Sequence, residues 1–181
     1  MTQKGVQWCI LMKDVISFTP IGYIRVSETK DAIRNSLYGV KGRIELLPEY
    51  SEGLDGIEEF SHIIVIAYLH DVQPGQKSVL KVKPFRKIAR VLNLDFKEVP
   101  VVGVFCTDSP HRPNPIALTI VKLLERRKNV LYVSGLDLYD GTPVLDIKPY
   151  TPHRVIPEIS VPEWYISARN KVLKIVDTFP E

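Results

Sequence analysis

Long apolar stretches rich in β-branched residues dominate the middle of the chain and predict β-strands. His62–Leu69 is almost uninterruptedly apolar, which is typical of a strand buried on both faces. Shorter runs predict three further strands: Ile21–Val26, Val99–Cys106 and Val144–Ile147. These strands follow one another without the helices of 10–15 residues that a βαβ fold requires.

A β-hairpin is predicted further along the chain. Ile116–Leu124 and Val130–Leu138 are two β-rich runs that flank the polar segment Glu125–Asn129. Asp140-Gly141 then predicts a second tight turn. We therefore expect a mainly β protein whose core is an antiparallel β-barrel.

Helical periodicity is clear only near the C-terminus. Apolar residues recur there every three or four positions, at Trp164, Ala168, Val172 and Ile175. Ser160 and Glu163 have the spacing of a capping box, so an amphipathic C-terminal helix is predicted, with one further short helix around Phe85–Leu92. The expected organisation is an N-terminal extension (1–17), a barrel domain (18–152) and a C-terminal helical appendage (153–181).

Composition narrows the class of protein. The chain has 181 residues, 45% of them hydrophobic and 25% charged, and a formal net charge of +3, which is typical of a globular domain and excludes a disordered chain. No apolar run reaches the length of a membrane span. For that reason we expect no membrane contact. Two cysteines are too few for a disulfide framework, which favours a reducing compartment, so we expect a cytoplasmic protein.

Several kinds of site are excluded by spacing. No two glycines form G-x-G, which excludes a dinucleotide fingerprint and a phosphate-binding P-loop. The four histidines lack the spacing of metal ligands, and no metal is expected; they are His62, His70, His111 and His153.

A proline-rich loop is the first candidate site. Thr107–Pro115 carries three prolines within six residues, and each proline fixes its φ angle. The stiff loop presents four polar residues in set directions: Asp108, His111, Arg112 and Asn114. The residues alone leave two interpretations about equal, a preorganised polar site or a rigid connection whose polar groups satisfy local backbone.

The second candidate lies further along the chain. Asp146, Lys148 and Tyr150 share one face of an extended segment and could anchor a substrate or form a surface salt bridge. Asp137 and Asp140 bracket a turn, where aspartate is also common for local reasons.

These two motifs carry a family resemblance. Ser109–Ile116 and Leu136–Tyr150 closely resemble the TsaA-like (TrmO) family, as do Pro20–Ile24 and Phe60–Ile63. The resemblance implies a β-barrel methyltransferase that uses S-adenosylmethionine and acts as a homodimer. It also implies the substrate, threonylcarbamoyl-adenosine beside the anticodon of tRNA, methylated on the exocyclic nitrogen.

The resemblance also implies site residues. Those expected to bind the cofactor are Arg34, Asn35, Ser36, Leu37, His70, Asp71, Asp108, Ile120, Leu136, Asp137, Leu138 and Tyr139. From the residues of the two motifs themselves, we expect Arg112, Asn114, Asp140, Asp146, Lys148 and Tyr150 to act in catalysis. Methyl transfer to a conjugated nitrogen benefits from a base, and the candidates are Asp140, Asp146 and Tyr150. Tyr139 also offers an aromatic face to a cationic sulfonium.

Three positions depart from the family pattern. Ile33 stands where the family usually has proline, Asp108 where it has arginine, and Ala117 where it has glycine. Asp108 reverses a charge inside the expected site. Two alternatives therefore remain: a methyltransferase for another small or nucleotide-like substrate, and a non-catalytic module that binds the cofactor or RNA.

A basic segment is the candidate RNA contact. Its cations are Lys81, Lys83, Arg86, Lys87 and Arg90. Phe85 stands among them and could stack on a base. The alternative is a solvated basic face, which is what charge runs usually form.

Overall fold

The core is a closed barrel of six antiparallel strands, as the sequence predicts; the computed structural model describes residues 15–180. The barrel strands are β1 (Gly22–Arg25), β2 (Val40–Leu46), β3 (His62–Tyr68), β6 (Ile116–Arg127), β7 (Val130–Leu136) and β8 (Pro143–Pro149). They follow one another around the barrel in the order β1-β2-β7-β6-β3-β8. A separate pair is formed by β4 (Lys81–Val82) and β5 (Val102–Gly103).

Alternate residues of the barrel strands fill its interior. The fully buried side chains include Ile24, Ile44, Ile63, Val65, Val121, Leu131, Val133 and Val144. Removing this apolar surface from water is the main contribution to barrel stability. The neighbouring positions of each strand point outward.

Two strand predictions need correction. β2 was not predicted, because its inward-facing positions include Gly42, where a side chain would collide with Val26 and the backbone of Arg25. The predicted strand Val99–Cys106 is wrong over most of its length. Only β5 pairs there, and Val104–Cys106 forms a 3₁₀ turn. Pro100 lacks the N–H that a central strand would need.

Residues 15–180 contain three α-helices, named α1 (Lys30–Asn35), α2 (Arg86–Leu92) and α3 (Glu163–Leu173). α2 and α3 confirm predicted helices, whereas α1 was not predicted. The predicted capping box is wrong: Pro162 is the N-cap of α3 and makes no side-chain cap hydrogen bond. Ile175 follows the end of α3 and is 54% exposed, so it does not extend the buried stripe.

A second hydrophobic core lies beside the barrel. It joins α2, α3 and the segment 94–99, and its buried residues are Ile88, Phe96, Val99, Ala168 and Val172. Phe85, Trp164 and Phe179 pack against it, as does Leu37 from the loop after α1. The C-terminal helix therefore covers α2 of its own chain. No helix within residues 15–180 has the length and apolarity needed to cross a membrane.

A β-bulge in β6 determines how one end of the barrel is closed. Leu123 pairs with Val133, but the next pair is Glu125 with Tyr132, so Leu124 is the extra residue. The bulge turns Arg126 towards the interior, where its side chain is only 16% exposed. Arg126 donates hydrogen bonds to the backbone oxygens of Leu54 (2.9 Å) and Ser51 (3.2 Å), and it forms ion pairs with Asp55 and Glu58.

Candidate functional site

The two sequence motifs meet at one end of the barrel. Tyr68, the last residue of β3, pairs with Ile116, which follows the proline-rich loop directly. The Leu69 N–H donates to the backbone oxygen of Pro115 (2.8 Å). β8 begins at Pro143, immediately after the aspartate-glycine turn. We call this the loop end; it comprises 26–39, 69–71, 107–115 and 137–142.

A cation is held at the loop end by a carboxylate and an aromatic ring. Lys30 forms an ion pair with Asp71, and its Nζ lies 5.5 Å from the centroid of the Tyr139 ring. The hydrogen bond from Lys30 lowers the pKa of Asp71. His70 Nε2 lies 3.5 Å from Asp71 Oδ1. Two of the expected cofactor-binding residues, Asp71 and Tyr139, thus contact one cationic group, and a third, His70, lies against Asp71.

Tyr139 also contacts the segment that starts at Arg34. The nearby Tyr139 side chain, acting as an acceptor for the Arg34 guanidinium, raises the pKa of Arg34. Behind this contact, Leu37 packs into the second core. Ser36 Oγ donates to the backbone oxygen of Gly39 (2.6 Å). Arg34 and Asn35 end helix α1, so the expected cofactor segment combines a helix terminus with a short, anchored loop.

The basic helix α2 lies against the same end. Lys87 is half-buried, and this burial lowers its pKa, while the nearby Asp137 carboxylate opposes that effect. Arg86 and Arg90 on the same helix are exposed. The RNA-contact and cofactor predictions therefore fall on adjoining surfaces.

The prediction that Phe85 stacks on a base is wrong. Its ring packs among the aromatic side chains of the second core, with centroids 5.6 Å from Phe96 and 6.0 Å from Trp164. Phe85 also has φ = 60°, a left-handed conformation that starts α2. Because of these packing contacts, the Phe85 ring is not free to stack on a base.

The proline-rich loop is braced by its own polar groups. Arg112 Nη2 donates to the backbone oxygens of Val104 (3.1 Å) and Thr107. Arg112 Nε is buried without a hydrogen-bond partner among the described residues. Asp108 and Asn114 are exposed. Arg112 thus braces the loop, and Asn114 is available to a ligand.

The β8 residues lie away from that loop. Asp146 and Lys148 form an ion pair of 2.6 Å on the outer face of the barrel, opposite Ile66 and Ile64 of β3. The Tyr150 N–H donates to the backbone oxygen of His62 (3.1 Å), the first residue of β3. A strand of seven residues spans about 20 Å, so Tyr150 lies at the opposite end. Of the three base candidates, only Asp140 belongs to the loop end.

Asp140 is oriented by the backbone. Its Oδ1 accepts a hydrogen bond from the Val26 N–H (3.1 Å), and the following Gly141 N–H donates to the backbone oxygen of Ile24 (2.9 Å). Gly141 has φ = 76°, which a glycine adopts without strain. The turn therefore fixes an exposed carboxylate beside the cofactor-binding candidates.

A groove on the outer face of the barrel adjoins the loop end. Its lining residues are Tyr38, Gly39, Val40, Lys41, His62, Ile120, Lys122, Ser134 and Gly135. The groove touches three parts of the chain that the resemblance assigns to the cofactor: Tyr38 follows Leu37 directly, Gly135 precedes Leu136, and Ile120 itself lines the groove. The side chains of Leu136 and Leu138 are buried in the barrel, which leaves their backbone to face a ligand.

Sequence reasoning missed this groove apart from Ile120. Its polar members come from four different strands, and no short motif contains them. Only the strand register places them side by side.

Comparison with known proteins gives a family match. The sequence model of one protein family, the tRNA-methyltransferase O N-terminal domain, matches residues 28–154. A probable S-adenosyl-L-methionine-binding protein of Pyrococcus abyssi is 41% identical over 142 residues, which cover 76% of this chain and 70% of that protein. A tRNA (adenine(37)-N6)-methyltransferase of Mus musculus is 46% identical over 104 residues, covering 57% of this chain and 21% of that protein.

Solved structures agree with this match. A crystal structure of TrmO is 35% identical with a TM-score of 0.60, covering 82% of this chain and 64% of that one. TrmO from Pseudomonas aeruginosa is 33% identical, also with a TM-score of 0.60, covering 81% of this chain and 61% of that one. The chain therefore spans less than two thirds of the length of these structures.

Proposed function

Because the chain belongs to the family of the tRNA-methyltransferase O N-terminal domain, we propose that it is an S-adenosylmethionine-dependent methyltransferase that acts on tRNA. One observation carries the proposal: the Asp71 carboxylate and the Tyr139 ring hold a cation where both sequence motifs meet. S-adenosylmethionine is a sulfonium cation and supplies an electrophilic methyl group when bound. The name of the Pyrococcus abyssi relative supports binding of this cofactor, and the name of the mouse relative supports tRNA methylation.

The cofactor would be held by residues of the loop end. Asp71 and Tyr139 suit its positive charge, since a carboxylate and an aromatic face both attract cations. The Lys30 side chain, which is more than half exposed, would move aside. Arg34 suits the carboxylate of the methionine portion. The backbone of 136–139 and the side chain of Ile120 complete the predicted set, with Asp108 at the exposed edge.

We assign the acceptor to the exocyclic nitrogen of threonylcarbamoyl-adenosine. A conjugated nitrogen is a weak nucleophile until its proton leaves, and a positioned base typically contributes about 10²–10⁴-fold. Asp140 is our choice for that base because its carboxylate is oriented at the loop end. Asn114 would orient the acceptor by hydrogen bonding. Lys148 and Tyr150 remain outside this arrangement.

The tRNA would reach the loop end over α2. Lys81, Lys83, Arg86, Lys87 and Arg90 provide the positive charge, and Lys87 lies close to Asp137 of the site. A salt titration of tRNA binding tests this assignment. If replacing Lys81, Lys83 and Arg86 leaves the salt dependence unchanged, the basic segment 81–90 is not the contact surface.

We also infer a homodimer. The outer face of β6 exposes two neighbouring large apolar side chains at the loop end, Ile116 and Leu118, and apolar patches of this kind favour a protein contact. Sedimentation equilibrium of the full chain measures the oligomeric state. A Leu118→Asp variant should sediment as a monomer, and a monomeric wild type would contradict the inference.

Nucleoside analysis by mass spectrometry tests the function. The full chain is incubated with S-adenosylmethionine and tRNA that carries threonylcarbamoyl-adenosine, with tRNA lacking that group as the control. We expect one added methyl group on the modified nucleoside only. Methylation of another nucleoside would instead favour the alternative substrate suggested by Asp108.

Thermal stabilisation by S-adenosylmethionine separates the remaining outcomes. Stabilisation without any methylated nucleoside would indicate a non-catalytic binding module. No stabilisation would contradict the proposal. Asp71→Asn, which keeps the shape of the side chain but removes its charge, should weaken the stabilisation.

A further inference from the structure

The register of the barrel places four polar side chains in one row across its outer face. Ser134 of β7 pairs with Lys41 of β2 on one side and with Lys122 of β6 on the other, and Lys122 pairs in turn with His62 of β3. Paired residues of neighbouring strands share a face of the sheet. With strands about 4.8 Å apart, Lys41 and Lys122 lie about 10 Å from each other across the groove.

The two lysines carry positive charge that the described residues do not neutralise. Neither Lys41 nor Lys122 forms an ion pair within residues 15–180, and the groove has no aspartate or glutamate in its lining. Other cations on the outside of the barrel behave differently: Arg43 pairs with Glu45, and Lys148 with Asp146. The groove is thus a local concentration of unpaired positive charge.

An oriented aromatic ring stands beside this row, on the side of the loop end. Tyr38 is 53% exposed and lines the groove. Its Oη donates a hydrogen bond to the backbone oxygen of Thr178 (2.9 Å), which limits the motion of the ring. An exposed ring beside lysines is the combination that binds single-stranded nucleic acid, by stacking a base and neutralising phosphates.

We propose that this groove binds a single-stranded segment of the RNA substrate. Lys41 and Lys122 neutralise backbone phosphates, and Tyr38 stacks on a base. Tyr38 follows the expected cofactor segment 34–37 directly, so a strand lying in the groove leads to the loop end. The inference rests on the proposed function and adds a second RNA contact, distinct from α2.

Salt-dependent binding of an RNA hairpin with the anticodon stem-loop sequence tests the inference, with fluorescence anisotropy as the readout. In single-stranded RNA each neutralised phosphate contributes about 0.7 to the slope of log K against log salt concentration. The double variant Lys41→Gln/Lys122→Gln should therefore lower the slope by about 1.4 and weaken binding. Lys41→Arg/Lys122→Arg should keep the wild-type slope.

Further variants separate the contribution of base stacking from that of general positive charge. Tyr38→Ala should weaken RNA binding without changing the slope, whereas Tyr38→Phe, which keeps the ring, should retain most of the affinity. Lys128→Gln is the matched control, because this exposed lysine lies at the tip of the β6–β7 hairpin, away from the groove. Lys128→Gln should leave both the RNA affinity and the salt slope unchanged.

The results distinguish failure of the inference from failure of the proposed function. An unchanged slope in the lysine double variant, with wild type binding and methylating RNA, overturns the inference alone. A loss of S-adenosylmethionine affinity at an unchanged slope would assign the groove to the cofactor and also overturns it. If the wild type neither binds nor methylates the RNA, the proposed function fails as well.

Discussion

Arg90 Nη2 donates a hydrogen bond to the backbone oxygen of Arg34 across 3.2 Å, and this bond ties helix α2 to the end of α1. Leu37 and Tyr38, immediately downstream, contact the second core and Thr178. The expected cofactor segment is therefore held from behind by three separate contacts. Its conformation depends on α2 and on the C-terminal segment as well as on the barrel.

Replacing Arg90 should weaken cofactor binding even though its side chain is not assigned to the cofactor. Arg90→Met keeps the length of the side chain and removes a hydrogen bond worth about 1 kcal/mol, or about 5-fold in affinity. Titration calorimetry with S-adenosylmethionine measures the change, and amide exchange over 34–38 should become faster. Arg169→Met, an exposed arginine of α3, serves as the control. Equal affinity and equal exchange in Arg90→Met would refute the link.

Asn114→Ala should lower turnover without unfolding the protein. Asn114 is exposed in a loop whose shape depends on prolines and on Arg112, so its side chain is not needed for folding. Losing one oriented hydrogen-bonding group in an active site typically costs about 10²-fold in rate. Initial rates of tRNA methylation and urea unfolding measure the two effects. Normal turnover in this variant would remove Asn114 from the site.

Gly39→Ala should destabilise the protein strongly. Gly39 has φ = 70°, and a Cβ there would overlap the backbone of Gly135. The expected cost exceeds about 2 kcal/mol in the free energy of unfolding, because strain and overlap both contribute. Gly75→Ala is the matched control: a Cβ there meets no atom within 4 Å, and stability should change by less than about 0.5 kcal/mol. Equal stabilities of the two variants would show that the close approach of the two chain segments is unimportant.

Val172→Ala should disturb the second core and, through it, the cofactor segment. Val172 is fully buried, and removing its two methyl groups should cost about 2 kcal/mol. Urea denaturation measures the loss, and amide exchange at Leu37 should increase because Leu37 packs on the same core. Ile175→Ala, at an exposed position after the helix, should leave both quantities near wild type. Unchanged exchange at Leu37 would show that the core does not restrain the segment.

The sequence predicts the strands that are strongly apolar and misses those that are not. β3 and the β6–β7 hairpin are clear because their β-branched runs are long. β2 is hidden because Gly42 occupies an inward position and charged residues alternate around it. Helix α1 has six residues, too few to show a period.

Some features of the candidate site can likewise be predicted from the sequence, and others cannot. Motifs place the proline-rich loop and the aspartate-glycine turn together, because β6 and β8 begin where those segments end. Alternation along β8 also predicts that Asp146 and Lys148 share a face, and they do. The row from Lys41 to His62 could not be predicted, since it depends on the register of four strands. The burial of Phe85 depends on aromatic partners 80 residues further along the chain.

The inward turn of Arg126 has a consequence for how ligands approach. Its guanidinium closes the bottom of the barrel by bonding the 3₁₀ segment that begins at Pro48. Because apolar side chains fill the interior and Arg126 covers this end, a ligand meets this end of the barrel only from outside. The loops at the opposite rim can therefore differ in length or sequence while the contacts of Arg126 keep this end closed.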